Sequence, residues 1–159
     1  MNNFITNLLL IKDQNIIIGD KLDLINVNGQ DTFIFHGTLS YEPKCCTNCS
    51  CKKEGNNIVK NGFGDPLKVS LLKMSECPTY LRLKKQRFKC RECNSKFCAE
   101  TSFVKKYCSI SKNLIFYIMK NLSKTLSFKD IAELGNVSVS TVVRVMKSCR
   151  EAVEVKTHS

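Results

Sequence analysis

Apolar and polar positions along the chain fall into three regimes. In the first, up to residue 43, short apolar runs predict a small helix over 4–11 and a strand over 15–19. Asn28-Gly29, set between the apolar stretches 24–27 and 32–35, predicts a hairpin, because this dipeptide adopts the positive φ angles of a two-residue turn. Three extended segments follow, over 58–63, 67–73 and 79–89. Gly62, Gly64-Asp65-Pro66 and Cys77-Pro78 punctuate them. In the last segment Leu81 and Leu83 share one parity and Phe88 takes the other, so a bulge or bend is expected near 84–86.

The period changes after Tyr107. Ile110, Leu114, Ile115, Ile118, Met119 and Leu122 recur at helical spacing, predicting a helix over 109–126, with Lys112, Lys120 and Lys124 off the apolar face. Ser127 with Asp130 three positions on opens a second helix over 128–134. Gly135-Asn136 reads as a turn, in which Asn136 can take the left-handed conformation. Val137 plugs that turn, and Ser138 caps a third helix from Val139 toward Val153. Small Ala132, opposite inward Val142 and Val145, lets two helices cross closely, as in a helix-turn-helix. A plain three-helix bundle is the competing reading. Gly135 departs from the pattern, since an apolar side chain normally fills the space just before such a turn.

Cysteine spacing adds the first chemistry. Cys46 and Cys49 form one pair with a two-residue spacer, and Cys90 and Cys93 form another. Two such pairs supply four thiolates to one tetrahedral zinc ion, and four sulfurs mark a structural rather than a catalytic site. Ser50 stands where the turn after the first pair prefers a glycine. Cys45 and Cys51 crowd the same corner and are read as spectators. His36 is read as a strand residue, not a ligand. Ten cysteines with no secretory signal at the start point to a reducing compartment, against a disulfide scaffold as the alternative. No apolar run approaches a membrane span, and the expected location is cytoplasmic, associated with the nucleoid.

Charge changes the picture further. Up to Pro43 there are two basic and five acidic residues, a net of −3; from Lys44 onward 23 basic and nine acidic residues give +14. Such asymmetry points to a polyanion, nucleic acid above all, rather than to a merely solvated basic surface. Arg82, Lys84, Lys85, Arg87 and Lys89 crowd the segment that leads into Cys90 and are candidates for phosphate contacts. On the third helix Ser138, Ser140, Thr141, Arg144 and Lys147 are candidates for DNA contact, Arg144 through bidentate pairing with guanine. The reading is an α+β protein with an N-terminal strand and helix region (1–43), an antiparallel zinc ribbon (44–104) and a helix-turn-helix domain (105–159). Double-stranded DNA is its expected partner, and a second copy of the chain is a further candidate.

With both modules in hand, the chain resembles the N-terminal portion of insertion-sequence transposases of the ISL-three family. The resemblance rests on Gly37, Thr38 and Leu39; on Cys46 and Cys49; on Lys85 through Cys90 with Cys93; and on Asp130, Ile131 and Ala132 followed by Asn136, Val137, Ser138, Thr141, Val142 and Arg144. It implies a region that grips the ends of a mobile element. In that family an RNase-H-like domain with three metal-binding carboxylates follows and cuts DNA. The acids of the basic half are scattered here, so no strand transfer is expected from these residues alone. Two other readings use the same parts: a stand-alone transcription regulator, and a structural zinc protein that binds another protein.

Overall fold

The computed structural model describes residues 2–157. Helix α1 (Asn2–Leu8) leads into a hairpin of β1 (Ile16–Val27) and β2 (Gln30–Leu39). Asn28 and Gly29 both have positive φ, 52° and 83°, the backbone that the two-residue turn demands. The expected strand over 15–19 is thus the start of one twelve-residue strand, whose register shifts between Ile18 and Leu22. Its outer edge leaves Ile17, Leu22, Leu24, Ile25 and Val27 exposed.

Strands β3 (Ile58–Phe63), β4 (Leu67–Ser70), β5 (Thr79–Cys90) and β6 (Lys96–Cys98) complete a six-stranded sheet. β5 is its spine. The first half of β5 lies between β2, in parallel from Phe33↔Thr79 to Leu39↔Lys85, and antiparallel β4. Its second half lies between β3 and β6, both antiparallel. Gly37 sits where β2 is squeezed: a Cβ there would come within 3.0 Å of Ile18 Cδ1 and 3.3 Å of Leu81 Cδ1.

The parity change expected in the basic segment is present. Leu81 and Leu83 are buried, then Gln86, Phe88 and Cys90, with Lys84 and Lys85 at the crossover. The register shift, however, falls on the neighbouring strand, between Lys60 and Phe63 of β3, where Gly62 takes a φ of 72°. Gln86 is buried at the handover. Its side-chain amide donates to Gly62 O (2.7 Å), and its carbonyl oxygen accepts from Ser40 Oγ (3.3 Å).

Three helices follow: α2 (Lys112–Leu122), α3 (Phe128–Gly135) and α4 (Val139–Thr157). α2 starts later than its periodicity predicts. Ser109, Ile110 and Ser111 are extended alongside β4, with Ser70 N–H donating to Ser109 O (2.8 Å) and Ser111 N–H to Ser70 O (3.0 Å). Ser111 then caps α2. Ser127 and Asp130 form the reciprocal capping box expected for α3.

Two apolar clusters result. One lies under the sheet and includes Ile18, Leu39, Val69, Leu81, Leu83, Phe88 and Val104. The other joins the helices through Leu114, Ile118, Ile131, Ala132, Val142 and Val145. Asn136, at φ 53°, closes α3 and donates from its side-chain amide to the Tyr80 hydroxyl (2.9 Å), tying the turn between α3 and α4 to β5. Lys73 Nζ adds a bond to Glu133 O (2.7 Å).

Candidate metal centre and nucleic-acid interface

Two tight turns bring the four paired cysteines together. In the first, Cys46 N–H donates to Cys51 O (2.9 Å) and Ser50 N–H to Cys46 O (3.0 Å), while Asn48 N–H points at Cys46 Sγ (3.3 Å). In the second, Cys90 N–H donates to Ser95 O (2.9 Å). The residue after each pair is left-handed, Ser50 at φ 60° and Asn94 at φ 58°. The serine therefore does what a glycine does more cheaply.

The Sγ atoms of Cys46, Cys49, Cys90 and Cys93 all lie within 4.8 Å of one another. Cys46 and Cys93 are 3.7 Å apart, Cys49 and Cys90 3.8 Å. A tetrahedron of sulfurs about 2.3 Å from a central zinc has an edge of about 3.8 Å, so the four thiols fit one zinc ion. Polar neighbours favour thiolate at two of them. The Ser95 hydroxyl and the Asn48 amide, with the Ser95 backbone, bring Cys93 down to about 5. The Cys49 backbone N–H and the Ser95 hydroxyl lower Cys46. Cys49 and Cys90 go the other way. Each accepts a backbone N–H, from Cys51 and Cys93 respectively, but burial and neighbouring thiols outweigh those bonds and raise both. Metal loading displaces the protons that remain. Four thiolates with no open position make this a structural zinc site.

The other candidate ligands stand apart. Cys45 is exposed. Cys51 is nearer than its spacing suggests, with Sγ 3.6 Å from that of Cys90, but it does not belong to the mutually close set. His36 lies in β2, and its Nε2 meets Asp23 Oδ2 at 2.7 Å.

The cations of β5 alternate with its buried residues, Arg82 and Lys84 on one face of the strand and Lys85, Arg87 and Lys89 on the other. Arg82, Lys84 and Arg87 are exposed, and Lys85 and Lys89 half-buried. Among the described residues none of the five is in an ion pair. The buried parity changes from Leu81 and Leu83 to Phe88 and Cys90, so the cations leave the strand first on the face opposite Leu81 and Leu83 and then on the face opposite Phe88 and Cys90.

On α4, Val139, Ser140, Arg144 and Lys147 line one exposed strip, with Val143 half-buried among them. Ser138 caps the helix by accepting from Thr141 N–H (3.2 Å). Thr141 itself is buried, its hydroxyl 2.9 Å from that of Ser138 and accepting from Arg144 Nη2 (3.3 Å). It thus orders the start of the helix and steadies Arg144. Reasoning from the sequence overlooked Tyr80, whose ring lies under Lys68 Nζ (4.1 Å) and whose hydroxyl holds the helical turn. A tyrosine on the polar side of an otherwise basic strand was the available signal.

Comparison with known families bears on the same two units. Residues 42–93 match the zinc-finger of transposase IS204/IS1001/IS1096/IS1165. Residues 99–149 match the helix-turn-helix domain of transposase family ISL3. The chain carries the zinc ribbon and helix-turn-helix of an ISL3-family transposase. The curated proteins and solved structures compared with it gave no match. The matched zinc finger contains all four cysteines of the sulfur tetrahedron, and the matched helix-turn-helix contains α2, α3 and most of α4. A DNA-binding domain of an ISL3 transposase therefore sits against a zinc ribbon of the same family. No helix among the described residues is long and apolar enough to cross a membrane.

Proposed function

We propose that these residues recognise double-stranded DNA at the ends of a mobile element, in the nucleoid, and leave strand cutting to other machinery. β5 lies along phosphates through Arg82, Lys84, Lys85, Arg87 and Lys89, which project from both of its faces. The start of α4 enters the major groove, where Arg144, Ser140 and Lys147 meet base edges and flanking phosphates. The observation that carries this reading is the row of unpaired cations on the strand that also bears Cys90 and holds the helical turn through Tyr80. A cation without a carboxylate partner releases a phosphate's counterion at little cost.

The test is a salt titration of duplex binding. Replacing Lys85, Arg87 and Lys89 with alanine is expected to weaken all duplex sequences alike. It should also flatten the plot of log affinity against log salt by about 2 to 3 units. An unchanged slope places the phosphate contacts elsewhere.

A further inference from the structure

An open groove of about 780 Å³ lies beside the zinc turns, between β6, the β3–β4 connection and residues 106–109. Lys85, Arg87, Lys96 and Lys106 line it, against Asp65 and Glu100. Glu100 is engaged by Lys106 at 3.4 Å. At its mouth stands Tyr107, 95% exposed and held at a φ of 62°. A bulky residue seldom adopts that left-handed backbone, and such strain collects at binding sites. Cys108 N–H donates to Lys105 O (3.0 Å), closing the turn that holds the ring out, and Lys106 Nζ lies 5.5 Å from the ring centre.

We propose that this groove takes an unpaired nucleotide next to bound duplex, with its base stacked on Tyr107 and its phosphate among the four cations. Bases inside a duplex are already stacked on one another and cannot cover a protein ring; a base at a frayed end or single-stranded tail can. Lys85 and Arg87 belong both to this groove and to the β5 row, so a phosphate backbone lying along β5 continues into it. The site rests on the duplex-binding reading and adds a preference for unpaired ends.

The experiment uses the whole zinc-loaded chain at one fixed salt concentration. It compares a blunt duplex with the same duplex bearing a short single-stranded tail that contains 2-aminopurine. The tail is expected to raise affinity roughly tenfold, the scale of one stacked base, and stacking should change the aminopurine fluorescence. Tyr107→Ala should lose that gain while binding the blunt duplex as before, and Tyr107→Phe should keep it. Blunt-duplex binding with no gain from the tail overturns the groove alone, as does a gain that survives Tyr107→Ala. Failure to bind either probe overturns the duplex reading as well.

Discussion

Around the metal, the second half of β5 and its short partners β3 and β6 bury little beyond Ile58, Phe88, Cys46 and Cys90. The three helices enclose a continuous apolar cluster of Leu114, Ile118, Ile131, Ala132, Val142 and Val145. Strands of three to six residues closed by two turns cannot offset their own ordering entropy by burial, so four sulfur–metal bonds must do it. The helices need no such clamp. Their caps satisfy exposed backbone groups, and small Ala132 is buried in their shared cluster. One chain thus holds two adjoining units by different physics, and perturbations should separate them.

Metal removal should have the largest effect. Structural zinc contributes on the order of 10 kcal/mol or more of apparent binding energy, so chelation should open the two cysteine turns and release β3 and β6. Far-UV circular dichroism should keep the helical signal, while proteolysis becomes rapid within 44–98. Cys90→Ser should give less than one zinc per chain by metal analysis; Cys45→Ser should retain it. A helical signal that disappears with the zinc would show that the two units fold as one.

The opposite perturbation is Val142→Asp, which places a carboxylate in the helix crossing at a cost on the order of 4 kcal/mol. Helicity should fall while the zinc content stays at about one equivalent. Loss of metal in this variant would mean that the ribbon depends on the helices for its own folding.

Smaller changes sharpen the comparison at the DNA. Arg144→Ala is expected to bind scrambled duplex nearly as well as the parent. It should lose about 1–3 kcal/mol of preference for the element's end, read by competition at fixed salt. Full retention of preference would move sequence reading to the ribbon. The smallest effect is a gain. Gly135 lies in α3 without the left-handed φ that would demand glycine, and an added Cβ would rest 3.6 Å from Leu114 Cδ1 and from Val137 Cγ2, ordinary contact distances. Gly135→Ala should therefore raise thermal stability by about 0.5–1 kcal/mol. A lower melting temperature would mean that α2 and α3 cannot accommodate the methyl group.

The metal centre and much of the fold were legible because their signals are local. A two-residue spacer shapes a metal turn wherever it occurs, Asn28-Gly29 carries its own backbone preference, and Ser127 with Asp130 caps a helix irrespective of its surroundings. What escaped depends on distant partners. Nothing near Phe33 says that it will lie beside Thr79, since a parallel pair is joined by no turn whose length fixes its register. β6 is three residues long, below the reach of any alternation. Residues 109–111 have helical periodicity but are drawn out straight, because the edge of β4 offers Ser70 N–H and C=O two bonds there. The parity slip in β5 was readable, but it is accommodated across the ladder at Gly62, where a positive φ is cheapest.

The parallel alignment of β2 with β5 also sets a timetable for synthesis. Phe33 and its partner Thr79 are 46 positions apart, so a ribosome adding about 5–20 residues per second completes the first hairpin roughly 2–9 s before its neighbour strand arrives. Throughout that interval the inner edge of β2 presents unpaired amides and carbonyls beside Phe35 and Leu39, which are buried only in the finished sheet. The nascent chain is therefore exposed to self-association before Cys90 and Cys93 are made and the four-sulfur site can close on metal. Slowing elongation between codons 40 and 80 should lower the soluble yield more than the same pause placed after codon 100.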